Sequence, residues 1–204
     1  LQIVRVAFID VHEQELEMPQ DQAGARTTWS QPMQRLTVKF LGAVSGNGAF
    51  TFASGAFPGR LTGPEVTKAS GFIDVVHAYG KTSADKSSAM LYAEFRGYRH
   101  ELLVPAVIQA GQIAFTSGQR RESAIIARVR KQAKRAFGRA QKFKILRRPV
   151  PINEVDLYGK IFRVCCYLCN FQPPVFADKV AHPDGADAKC EETPKSPASK
   201  RNKN

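Results

Sequence analysis

The first nine residues, Leu1-Gln2-Ile3-Val4-Arg5-Val6-Ala7-Phe8-Ile9, are dominated by β-branched and aromatic side chains and run directly into Asp10. A short run of this kind, closed by a carboxylate, predicts a buried strand that ends by presenting an acid. Leu36 to Val44 and Ala49 to Ala53 predict two further strands. The Ser45-Gly46-Asn47-Gly48 segment between them supplies, in Asn-Gly, the positive φ angles of a tight hairpin. A β-meander therefore follows the first strand. Pro58-Gly59-Arg60 breaks the pattern, and Pro64-Glu65-Val66 opens a short helix capped by Thr62 and ending near Gly71, with proline placed early, where its missing N–H costs least. Leu102 to Val107 is another apolar run suited to a strand.

Helices concentrate in the second half. Ile126, Val129, Ala133, Phe137 and Ala140 recur at intervals of three or four and define one face of a long helix, which Pro149 and Pro151 are expected to end. A second apolar helix spans Leu157 to Phe171, with Ile161, Val164, Cys165 and Leu168 at helical spacing. Strands first, with helices packed over them, predict an α/β fold on a mixed sheet. The domain is expected over residues 1–176. Residues 177–204, rich in Pro, Ser, Lys, Asp and Glu, are expected to be a disordered tail. The chain opens without an initiator Met or the layout of a signal peptide, and is read as a fragment of something longer.

Charge narrows the partners. Between Arg120 and Arg148 twelve Lys and Arg accompany one acid, Glu122, so +11 of the net +12 lies in 29 residues. A concentrated cationic stripe favours a polyanion, because each phosphate it neutralises releases condensed counterions. Nucleic acid leads; a solvated helix face without a ligand is the competing reading. No aromatic side chain interleaves on that face, so base reading is not expected from it. No apolar stretch approaches the roughly 20 residues that a membrane span needs, which excludes a spanning protein. Four cysteines, three of them at Cys165, Cys166 and Cys169, do not make a secreted disulfide framework and suit a reducing compartment. Their spacing lacks the second pair of a zinc site, and core packing accounts for them. His12, two residues beyond Asp10, is a further candidate ligand, whereas His77 and His100 have no neighbouring nucleophile.

The order of several motifs is similar to the nuclease domain of Harbinger-type DDE transposases, within the DDE superfamily endonucleases. Phe8-Ile9-Asp10-Val11-His12-Glu13 resembles the family's opening strand with its first Asp. Thr28-Trp29-Ser30 and Leu36 to Leu41 resemble the entry to the second strand. Gly48 to Ser54 and Pro58-Gly59-Arg60-Leu61-Thr62 resemble the third strand and a Gly-Gly-Arg-x-Ser-Asp turn. Ala84-Asp85-Lys86 resembles the motif carrying the second Asp on a fourth strand, Leu103-Val104-Pro105 an apolar strand, and Ala127 to Ile145 with Leu157 to Asn170 the closing helices. The resemblance implies a ribonuclease-H-like sheet, a triad of two Asp and one Glu, and two divalent cations, Mg or Mn, that cleave DNA phosphodiesters. Asp10 and Asp85 are the implied catalytic and metal-binding pair. Family members usually carry a separate DNA-recognition domain, and a nuclear location follows by analogy.

The third acid is missing. Its position is Lys134, within Ala133-Lys134-Arg135-Ala136-Phe137-Gly138. An ammonium there replaces attraction by a repulsion of roughly 4 kcal/mol per unit of metal charge at about 4 Å and an effective dielectric near 20. Glu122 cannot replace it, because twelve helical residues displace it by roughly 18 Å along the axis. Gly63 stands where the turn has its Asp, and Ser87-Ser88 replace a Gly-Phe pair after the second Asp. The metal site is expected to be lost or weakened. Arg128, Arg130, Lys131, Arg135, Arg139, Lys142 and Lys144 remain as candidates to clamp a DNA backbone. Three function classes follow: a metal-dependent endonuclease with an unseen replacement for the Glu, a non-catalytic DNA- or partner-binding module derived from one, and an RNA-binding structural protein, which explains the charge but not the motif order.

Overall fold

The structure, a computed structural model, describes residues 6–20, 22–76, 80–98, 100–106 and 113–174, and of residues 128, 129, 132 and 133 it describes the backbone alone. Its centre is a mixed sheet. Strand β1 (Val6–Glu15) lies between β3 (Arg35–Val44), to which it is antiparallel, and β6 (Lys81–Ser83), to which it is parallel. Beyond β6 comes the parallel strand β7 (Glu101–Leu103). On the other side β3 pairs with β2 (Trp29–Ser30), β4 (Phe50–Ala53) and β5 (Phe57–Pro58).

Both faces of this sheet are buried, and β1 shows why. Alternate residues point to opposite faces, so Phe8 joins Phe40, Phe137, Phe162 and Cys166 under the C-terminal helices. Ala7 and Ile9 join Leu41, Val66, Phe72 and Phe95 on the other side. Each fully buried Phe or Leu stabilises the fold by about 1.5–3 kcal/mol relative to exposure. Two faces with separate aromatic cores explain why the strand reads as a continuous apolar run rather than as an alternation. The first face is covered by α5 (Ser117–Ala140) and α6 (Val155–Leu168), the second by α2 (Gly63–Ala69), α3 (Phe72–Val75) and α4 (Tyr92–Gly97). A short helix α1 (Gln22–Thr28) leads into β2. This is an α/β fold of the ribonuclease-H-like kind.

Most local expectations hold. The hairpin closes with Gly48 at φ 85°, and its N–H donates to the Ser45 carbonyl at 2.9 Å. Helix α2 has the expected Thr62 cap, reinforced by Glu65, whose carboxylate accepts from the Thr62 N–H at 2.7 Å. Four details differ. Strand β1 does not end at Asp10 but continues to Glu15, because its ladder with β3 runs unbroken through polar residues. Gln14 is buried there by donating to the carbonyls of Ile145 and Arg148 at 3.1 and 2.6 Å. Helix α5 stops at Ala140, well before Pro149, with the Arg147 guanidinium satisfying the Gln141 carbonyl at 2.7 Å. The strand anticipated over 102–107 is limited to Glu101–Leu103 within the described residues. Helix α6 buries Tyr158, Phe162, Cys165 and Cys166, followed by Cys169 just past its end, while Val164 and Leu168 of the anticipated apolar face are exposed. The anticipated tail lies outside the described residues.

Candidate functional site

Asp10 sits in the middle of β1, paired across the sheet with Gly42. On its other flank, the parallel register runs Val6 to Lys81 and Phe8 to Ser83, so Asp10 and Asp85 each follow the last pair by two residues. Neighbouring parallel strands thus bring the two aspartates to the same level of the sheet. They line one cavity of about 210 Å³ together with Glu13, Lys39, Ser87 and Ser88.

Asp85 is not on a strand. It caps a 3-10 helix over Lys86–Leu91, accepting from the Ser88 N–H at 3.2 Å. The Ser88 hydroxyl donates at 2.8 Å, and the Ser87 hydroxyl reaches both carboxylate oxygens at 2.8 and 2.9 Å. The two serines noted as departures from the family pattern therefore grip this carboxylate directly. Glu13 is engaged as well: it accepts from the Thr37 hydroxyl at 2.6 Å and lies 3.8 Å from the Lys39 ammonium.

Lys134 and Arg130, one turn apart on α5, both act electrostatically on the Asp10 carboxyl. Burial pushes that carboxyl above its ordinary value of 3.8; Lys134, Arg130 and the Val11 N–H pull it back, and Asp85 adds to the rise. The seating of α5 follows from Gly42, since a Cβ there would stand 2.7 Å from the ring of Phe137, one turn beyond Lys134. Phe137 in turn meets Phe50 edge-on with ring centres 5.2 Å apart.

The remaining basic residues divide. Lys131 and Arg135 are exposed on α5, Lys142 is exposed in the turn after it, and Lys144 is exposed on the 3-10 helix over Lys144–Arg147. The Arg139 guanidinium donates to the Pro173 carbonyl at 2.5 Å. The side chain of Arg128 lies outside the described residues.

His12 does not line the cavity of Asp10 and Asp85. It is buried, stacked on Phe162 at 5.7 Å and near Phe40 at 6.1 Å, with Nδ1 shared with the Gln141 amide at 3.1 Å. Burial lowers its pKa from 6.5 to about 4. His100 pairs with the Thr82 hydroxyl at 2.9 Å. Cys165, Cys166 and Cys169 are buried free thiols, and burial pushes all three upward in pKa.

Sequence reading missed Lys39, buried among strands, and the serine grip on Asp85. The latter was legible as an Asp followed by two hydroxyl residues within one turn, a cap signature.

A ribonuclease-H-like sheet with one aspartate on its central strand, a second just beyond the end of the neighbouring parallel strand, and a basic closing helix defines a nuclease-type fold. A family model, DDE superfamily endonuclease, matches residues 9–170, and the chain belongs to this family. No curated protein and no solved structure matches the chain. The superfamily acts on DNA and generally uses divalent metals. The residues here do not fit a two-metal centre: among the described residues no group of three or more His, Cys, Asp and Glu is arranged to hold a metal. Of the three carboxylates that line the cavity, Asp85 is gripped by serines, Glu13 is bound to Thr37 and faces Lys39, and Asp10 lies in the field of Lys134 and Arg130. No helix among the described residues is long and apolar enough to cross a membrane.

Proposed function

We propose that this chain is a transposase-derived module that holds DNA without cutting it. Its motifs resemble the Harbinger branch of the superfamily, in a degenerate or domesticated copy. The observation that carries this reading is the placing of α5 over the sheet, which brings Lys134 and Arg130 rather than a carboxylate into the field of Asp10. Hard divalent cations need several oxygen ligands whose negative charge outweighs the cost of dehydration. Here the α5 cations already offset the Asp10 charge, and the Ser87 and Ser88 hydroxyls occupy Asp85. In this reading Asp10 and Asp85 are relics of the catalytic, metal-binding pair, and Mg or Mn is held weakly or not at all.

The basic face keeps its use when the carboxylate site is lost, because phosphate contacts need only cations on a rigid element. Lys131 and Arg135 on α5, extended past its end by Lys142 and Lys144 and flanked by Arg128, Arg130 and Arg139, are the residues that would follow a duplex backbone. Such contacts position the protein but read no sequence, so target choice would come from a separate recognition domain or protein. A nuclear location belongs to this reading.

The competing reading, a metal-dependent endonuclease, draws support from Glu13, which lines the same cavity. Its carboxylate, however, is bound to Thr37 and faces Lys39.

Fluorescence anisotropy with a labelled duplex tests the proposal. Binding should weaken steeply with salt, and the triple variant Lys131→Ala, Arg135→Ala, Lys142→Ala should flatten the slope of log K against log salt by about 2–3. Duplex binding that is indifferent to these three substitutions would overturn the assignment of the face.

A further inference from the structure

A second cavity, of about 540 Å³, opens beside the first and shares Lys39, Gly63 and Ser87 with it. Arg26, Trp29, Gln31 and Arg60 complete the lining that matters for a ligand. No Asp or Glu lines it, so Arg26 and Arg60 face the groove without a carboxylate in its wall, while Lys39 in the floor has Glu13 at 3.8 Å on the side of the first cavity. Its volume falls in the range of clefts that hold small-molecule-sized groups, about 300–1,000 Å³.

The groove is built by a close backbone approach. A Cβ on Gly59 would fall on the Thr37 hydroxyl and the Thr28 carbonyl, so only glycine lets the segment after β5 lie against the end of α1. The Arg60 N–H then donates to the Thr27 carbonyl at 3.3 Å, which places Arg60 near Arg26 and Trp29. Lys39 is 7% exposed and forms part of the floor between the two cavities, one donor given to the Leu61 carbonyl at 2.7 Å. Trp29 is 41% exposed, a large aromatic surface left open beside two arginines.

We propose that this groove takes an unpaired DNA strand, with a base stacked on Trp29 and the adjoining phosphates held by Arg26, Arg60 and Lys39. An indole beside guanidinium groups suits a nucleotide, because every base has a face to stack and each phosphate meets a cation. A duplex does not fit this role: its bases are already stacked on one another, and it is served by the outward face of α5. The shared Lys39 leads such a strand from the groove into the cavity of Asp10 and Asp85. The inference deepens the DNA-holding reading and rests on it, adding a strand-specific site on the other side of the aspartates.

Trp29 is the only tryptophan in the chain, so its fluorescence reports on this groove alone. The full chain is titrated with an oligothymidylate of about twelve nucleotides and, separately, with a duplex, while anisotropy of labelled oligonucleotides records total binding. The expected result is saturable quenching of Trp29 by the single strand. The exposed pair Arg26→Ala and Arg60→Ala should weaken that binding about tenfold, and the duplex should bind without quenching. Single-strand binding that leaves Trp29 fluorescence unchanged, or that is as tight in the double variant, overturns the groove. Duplex binding without single-strand binding also overturns the groove and leaves the basic face standing. Binding of neither form overturns both.

Discussion

The ring of Phe137 rests on the bare backbone of Gly42, 2.7 Å from where a Cβ would stand, and Gly42 is the residue paired with Asp10 across the sheet. Helix α5 can therefore sit close over β1 and β3, and Lys134, one turn before Phe137, is carried into the field of the Asp10 carboxyl. In the proposed reading, the contact that would bring a glutamate to the metal in a complete triad here delivers an ammonium.

Gly42→Ala should destabilise the protein by about 1–3 kcal/mol, the usual cost of overpacking a filled core, because the Phe137 ring is backed by Phe50 and has little room to retreat. Urea unfolding measures the loss. The same variant should weaken the influence of Lys134 on Asp10, visible as an upward move of the Asp10 titration by NMR. An unchanged midpoint would show that α5 is seated by other contacts.

Asp10→Asn should raise the melting temperature at neutral pH. The folded carboxyl has a pKa above its ordinary value, chiefly through burial. The group therefore favours the fold fully below about pH 3.8 and loses that contribution as pH rises through the folded value. The stability difference between the natural protein and Asp10→Asn should accordingly shrink as pH falls toward the ordinary carboxylate range. Thermal melts across pH 3 to 8 read both the sign and the trend.

His12 predicts the opposite slope. Its folded pKa is depressed to about 4 from 6.5, so the stability it permits is complete above pH 6.5 and falls away as pH drops toward 4. The gap corresponds to roughly 3 kcal/mol. His12→Leu should lack this part of the acid loss in denaturant titrations at pH 7 and pH 4.5. An identical pH dependence in the variant would place the acid sensitivity elsewhere.

Cys165, Cys166 and Cys169 are buried and held in the thiol form, so in a Cys190→Ser background they should resist a thiol reagent at pH 8 until the chain unfolds. Rapid modification of the native protein would mean that α6 detaches from the sheet more readily than its packing implies.

The elements with a strong local signal were legible in the sequence: the hairpin with its Asn-Gly turn, the capped helix α2, the long amphipathic α5 and the strand carrying Asp10. What was not legible is what depends on tertiary contact. Short strands such as β2, β5 and β6 are two or three residues long and exist only because β3 or β1 offers a ladder. Val164 and Leu168 have the spacing of a buried face, but the neighbouring phase with Phe162 and Cys166 meets the sheet. Asp10 and Asp85 were identifiable through their motifs. The grip of Ser87 and Ser88 on Asp85 is local, within one turn, and was legible as a cap signature, whereas the groove between Arg26, Trp29 and Arg60 required the fold, because it joins segments some thirty residues apart.

The most direct test of the account is nicking of supercoiled plasmid in Mn by the natural protein, its Lys134→Glu variant and that variant combined with Asp10→Ala. The account predicts that the natural protein leaves the plasmid intact, that Lys134→Glu nicks it, and that Asp10→Ala abolishes the gain. Nicking by the natural protein that disappears in Asp10→Ala would contradict it, and would mean that another residue completes the site despite Lys134.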